Sequence, residues 1–209
     1  MNNRAQAISN AMLAFGFLLW SAYSHSAKPL LSLLAVVLHE VGHWGAIKLC
    51  RIPLGGFHFG AYEARLVLCG TLSYKKELLI CLAGPMVNFL SVLASAPLGA
   101  TLLGEGDLSF FASVSAALGL LNLLPVGDLD GGRILSCVLD WLIGPIVAVP
   151  ICEICSFLSL FCLWTISVFA LLRTGGSLSL FLFSSTLFLR IFLSSPPKKI
   201  TRITKNNRE

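Results

Sequence analysis

The chain has 209 residues, of which 56% are hydrophobic and 12% charged, and its mean hydropathy is +0.84. Soluble domains carry about a quarter charged residues, so this composition excludes one. It predicts an all-α polytopic membrane protein, with room for about six spans of roughly 20 residues. The formal net charge of +5 comes from a basic C-terminal end and scattered loop positions rather than one folded basic face, which excludes nucleic acid as a partner and leaves the lipid bilayer.

In chain order, the first apolar run covers 6–24. It follows Arg4, lacks a small-residue cleavage site around Ser21 to Ser26 and precedes five more runs, so it reads as a span and not a signal peptide. The second run, 30–50, contains His39-Glu40-Val41-Gly42-His43. Ionisable groups inside hydrocarbon cost on the order of 2–3 kcal/mol each and mark function. Positions four apart share a helix face, so the two imidazoles can point at one metal ion, while Glu40 can serve a nearby water as general base. With this chain's histidine and glutamate content the pattern is expected by chance about 0.002 times, which favours a site. The alternative has the histidines satisfied by carbonyls or by each other and Glu40 paired with Lys48. Counting back from Cys50 at 1.5 Å per residue places His43 about 10 Å and His39 about 16 Å below the cytoplasmic edge. Gly42 and Gly45 suit close approach of another helix.

Arg51 to Lys75, with Pro53, Gly55, Gly56 and Gly60, reads as a turn and a short re-entrant or β-like segment; the stretch Pro53 to Phe59 could pair with an extended peptide by strand addition. His58 reads as a loop residue. The third run covers 76–103 and the fourth 108–124. Then comes Asn122-Leu-Leu-Pro125-Val-Gly-Asp128-Leu-Asp130-Gly131-Gly132-Arg133, where proline and paired glycines break the helix at membrane depth, a feature tolerated only around a cavity. Catalytic zinc takes three protein ligands, so the histidines need a third donor. Asp128, Asp130, Asp140, Glu153 and His58 are candidates, and Asp130 is the best. The fifth and sixth runs cover 146–172 and 177–193. The seven cysteines mostly lie inside apolar runs and read as reduced packing residues, Cys152-x-x-Cys155 included.

If both termini are cytoplasmic, only Lys28 and Arg173 of the fifteen lysines and arginines fall outside, as the positive-inside bias requires. The domain organisation is one integral-membrane unit over 1–195 and a basic cytoplasmic tail over 196–209 that can hold anionic headgroups.

The membrane-embedded H-E-x-x-H at His39 to His43 and the N-x-x-P-x-x-x-L-D-G at Asn122 to Gly131 resemble the two marks of the site-2 protease family of intramembrane zinc metalloproteases. A third, weaker feature is Ala83-Gly84-Pro85-x-x-Asn88, and the likeness covers about 30–140. It implies a Zn2+ cofactor held by His39, His43 and Asp130, with Glu40 as general base. Asn122 is implied as a donor to the tetrahedral oxyanion; a helix-terminating bond to backbone is the other reading of its amide. Asn88 and Pro85 are expected to position the third span around the site. Asp128 departs from the family pattern, which sets two carboxylates two positions apart. No PDZ insert or CBS domain is recognisable, and the chain is similar to the compact branch that includes the stage IV sporulation protease. The expected activity is hydrolysis of a peptide bond within or near a transmembrane segment of a membrane-protein substrate such as a transcription-factor precursor, under a membrane regulatory partner. The alternatives are an inactive metal- or client-binding protein and another membrane zincin with Glu153 as third ligand.

Overall fold

Residues 26–52, 54–60, 63–68, 73–98, 105–127, 129–174 and 178–193 are described by the computed structural model. Helix α1 spans Lys28–Leu49 and starts with proline in its first turn, where the missing N–H has no helical partner to lose. It ends in a Schellman turn. Arg51 N–H donates to Lys48 O at 3.0 Å and Ile52 N–H to Ile47 O at 3.3 Å. Arg51 takes φ +51°, a left-handed conformation that costs a non-glycine residue about 1–2 kcal/mol. Ile52 offsets that strain by packing on the buried cluster of Ala46, Ile47 and Ile80.

Two strands follow, β1 (Leu54–Gly60) and β2 (Glu63–Leu68), paired antiparallel with Phe57 opposite Leu66 and an irregularity between Leu54 and Gly56. They occupy the stretch expected to be β-like. Helix α2 spans Tyr74–Leu98, α3 Glu105–Asn122, α4 Asp130–Ile143, α5 Pro145–Thr174 and α6 Leu178–Leu193. Helices α1, α2 and α3 pack on one another; α4 lies against α2 and α5, and α6 against α5. The α1–α3 seam buries Leu31, Ala35 and Phe111.

The α1–α2 crossing is close because Gly42 has no side chain. A Cβ there would stand 2.6 Å from Ala83 O, whereas one on Gly45 would meet nothing within 4 Å. Of the two glycines expected at a helix contact, only Gly42 is at one.

The molecule is a helical membrane protein. Among the described residues Lys28–Leu49, Tyr74–Ser95 and Pro145–Arg173 are long and apolar enough to cross a bilayer, and α6 contains the shorter apolar stretch Leu180–Leu189. Helix α5 exposes Ile146, Phe169 and Leu172, a surface that hydrocarbon accepts and water does not. Helices α1, α2, α3, α5 and α6 follow the second to sixth apolar runs within a few residues; the first run, 6–24, lies outside the described residues. Helix α4 was not among the expected elements. Its sequence carries Asp130, Arg133 and Asp140, which interrupt an apolar run without preventing a helix that buries one face.

Candidate metal centre

Helix α1 carries His39 and His43 one turn apart, and α4 begins with Asp130. The carboxylate therefore sits at a helix N-terminus, where the backbone dipole favours negative charge. Placing it there requires α4 to start hard against the turn that follows α3. A Cβ on Gly131 would collide with the carbonyls of Leu123 and Leu124, and one on Gly132 with that of Val126. The turn is closed by Leu129 N–H donating to Val126 O at 2.8 Å and is tied to α5 by Gly127 N–H donating to Ser156 Oγ at 3.1 Å.

The three side chains converge on one point. His39 Nε2 and His43 Nε2 are 3.1 Å apart, and each is 3.1 Å from Asp130 Oδ2. His39 and Asp130 are buried, at 5% and 8% exposure. Helix α2 forms the wall: a Cβ on Gly84 would overlap His43 Nε2 and stand 2.8 Å from His39 Cε1. Behind the imidazoles, His43 Nδ1 lies 2.8 Å from Ile80 O and His39 Nδ1 lies 3.1 Å from Asn88 Nδ2.

This arrangement fits a cation. Asp130 Oδ2 is buried and has no hydrogen-bond partner. With each Nδ1 protonated, both Nε2 atoms also present lone pairs, so three acceptors face one another and lack a positive charge between them. Donor atoms on a tetrahedral zinc, with bonds of about 2.0–2.1 Å, stand roughly 3.3 Å apart. The separations here are within a few tenths of an ångström of that. Among the described residues His39, His43 and Asp130 are the group of histidine, cysteine and acidic side chains able to hold a metal ion.

Of the other candidates, Asp128 and the side chain of His58 lie outside the described residues. Asp140 is buried on α4 but is not in the group. Glu153 is exposed on α5 and also outside it, so the alternative ligand set with Glu153 is not assembled among the described residues. Glu40 follows His39 directly and is exposed, beside ligands of which His39 and Asp130 are buried and His43 is half-buried. Lys48 does not pair with it, as its ammonium lies over the Trp44 ring at 3.6 Å from the centroid. Asn122 Nδ2 donates to Leu118 O at 3.0 Å, the helix-terminating contact of the two foreseen. The direct roles of Gly84 and Asn88 at the imidazoles were not legible in the sequence, where only the motif containing them signalled importance.

A helical membrane protein with a buried group of two histidines and one carboxylate is the class that fold and site define. A family model described as Peptidase family M50 matches residues 105–166. The zinc metalloprotease MJ0392 of Methanocaldococcus jannaschii is 29% identical over 123 residues, covering 53% of this chain and 34% of that protein. The chain thus matches about a third of the length of that relative. The structure described as the site-2 protease from Methanocaldococcus jannaschii superposes with a TM-score of 0.59 at 21% identity, covering 95% of this chain and 93% of that one. The chain is thus similar to Peptidase family M50 over 105–166 and shares the fold of that site-2 protease structure.

Proposed function

We propose that the protein is an intramembrane zinc metalloprotease that hydrolyses a peptide bond within or near a transmembrane segment of a membrane-bound substrate. The observation that carries this reading is the buried Asp130 Oδ2 converging with the histidine pair, 3.1 Å from each Nε2. His39, His43 and Asp130 would hold zinc. Zinc bound there supplies Lewis acidity that polarises a carbonyl and brings the pKa of water toward about 7. Glu40 takes the proton from the attacking water and returns it to the leaving amine nitrogen. Its exposure beside buried ligands suits a group that must meet both water and substrate. Asn122 could donate to the developing oxyanion through the amide hydrogen not given to Leu118 O.

A peptide bond in a transmembrane helix is already hydrogen-bonded, so the substrate must unwind before attack. The β1–β2 hairpin has an outer edge on each strand without a strand partner among the described residues, and this supports binding of the unwound segment by strand addition. The distribution of lysine and arginine supports six spans with both termini cytoplasmic. A transcription-factor precursor is the substrate class we favour, with a membrane partner controlling access.

The test is co-expression with a panel of membrane-tethered transcription-factor precursors, comparing wild type with Glu40→Gln. Loss of a general base lowers the rate by about 10²–10⁴-fold, so cleavage should vanish in the variant while zinc stays bound. A zinc-loaded Glu40→Gln that cleaves as well as wild type would sink the mechanism.

A further inference from the structure

His39 and His43 meet at the centre through the same atom, Nε2, but are held from behind by different chemistry. Behind His43 stands Ile80 O, 2.8 Å from Nδ1. A carbonyl oxygen can only accept, so in the neutral ring His43 Nδ1 carries the proton and Nε2 keeps its lone pair. Behind His39 stands Asn88, wholly buried on α2, with its amide nitrogen 3.1 Å from Nδ1 and its Oδ1 without a partner. An amide has a donor end and an acceptor end, and the two exchange by a half-turn about Cβ–Cγ. With Nδ2 donating, the His39 proton resides on Nε2 and points at Asp130 Oδ2, leaving no lone pair for a cation. With Oδ1 toward the ring, Nδ1 becomes the donor and Nε2 is free to bind.

We propose that Asn88 is a positioning residue for His39: in the metal-loaded protein its Oδ1 accepts the Nδ1 proton and so selects the one tautomer able to ligate metal. The unpartnered Oδ1 is the atom that performs this when it faces Nδ1. This inference rests on the zinc reading above. Outer partners of ligating histidines are worth about 10–100-fold in metal affinity. The neighbouring wall is built for the same purpose: Gly84 lies one turn before Asn88 on α2 and leaves the space that both rings fill.

The experiment uses the full chain in lipid nanodiscs. Zinc affinity is measured against a chelating competitor for wild type, Asn88→Leu, Asn88→Asp and a His39→Ala/His43→Ala double variant, and ring nitrogens are followed by 15N NMR, which four histidines make tractable. The expected result is a loss of about 10–100-fold in Asn88→Leu, with His39 shifting away from the Nδ1–H tautomer. Asn88→Asp, which keeps an acceptor oxygen at that place, should recover most of the affinity and the tautomer. Asn88→Leu that binds zinc like wild type, with His39 still Nδ1–H, overturns the proposal. So does Asn88→Asp falling as far as Asn88→Leu. If neither variant folds, zinc-loaded wild type still decides, because His39 bound through Nδ1 also overturns it. Wild type binding zinc no better than the double histidine variant is a different outcome, and it removes the zinc reading itself.

Discussion

Among the described residues, two buried polar clusters between helices satisfy their polarity in opposite ways. Between α5 and α6, Ser167 and Ser184 are wholly buried with their hydroxyls 2.8 Å apart. Each also reaches a carbonyl of its own helix, Ser167 Oγ to Trp164 O at 2.7 Å and Ser184 Oγ to Phe181 O at 3.1 Å. A hydroxyl has one hydrogen to give and can also accept, so one serine donates to the other and that one donates to its own helix's carbonyl, leaving no buried donor unmatched. Between α1, α2 and α4 the converging atoms are two ring nitrogens and a carboxylate oxygen, and with both Nδ1 atoms protonated none of the three can donate. Burial of polar atoms is common to both places. What separates a site from a fastening is the convergence of acceptors without donors, which only a cation or protons can relieve.

The largest effect expected from breaking this comparison is at Asp130. Asp130→Ala removes one of three donors and leaves two imidazoles, too few for a catalytic zinc site. Bound zinc, measured per purified protein by elemental analysis, should fall to background, and Asp128→Ala should keep it. Loss of zinc in Asp128→Ala alone would transfer the ligand role and with it the whole contrast.

Gly84→Ala tests the wall and not the ligands. The added methyl overlaps His43 Nε2 and presses on His39 Cε1, so the rings must leave the positions from which they meet Asp130. We expect zinc content and proteolysis to fall together, most of the way to the Asp130→Ala level, with the helical circular dichroism preserved. Gly45→Ala is the control, since open space surrounds that position, and it should leave both readouts unchanged.

The contrast also explains what the sequence could show. His39 and His43 were legible because helical periodicity alone puts them on one face, and Asp130 because proline and paired glycines announce a helix break at membrane depth. Those are local properties of the chain. Asn88 is 49 positions from His39, and the space beside Gly84 exists only where α1 crosses α2, so neither role could be read without the crossing. Helix α4 was hidden for a different reason. A search for apolar runs finds helices surrounded by lipid, while α4 packs against α2 and α5 and tolerates Arg133 and Asp140. Gly45 resembles Gly42 in sequence, and only the helix axis geometry tells them apart.

The smallest expected effect sharpens the comparison from the other side. Ser167→Ala removes one hydroxyl from the α5–α6 pair, but Ser184 retains Phe181 O as an acceptor within 3.1 Å, so no buried donor is stranded. Interhelical hydrogen bonds in membranes are worth about 0.6 kcal/mol on average. We expect a thermal midpoint in detergent lowered by no more than a few degrees, with bound zinc unchanged. Ser167→Ala/Ser184→Ala should be no worse than the single variant, because replacing both partners by apolar groups of similar shape is close to neutral. That non-additivity is the mark of a self-contained pair. Were Ser167→Ala to lower zinc content, the two clusters would be coupled through α5, whose Ser156 holds Gly127 in the turn before Asp130, and the fastening would be part of the site.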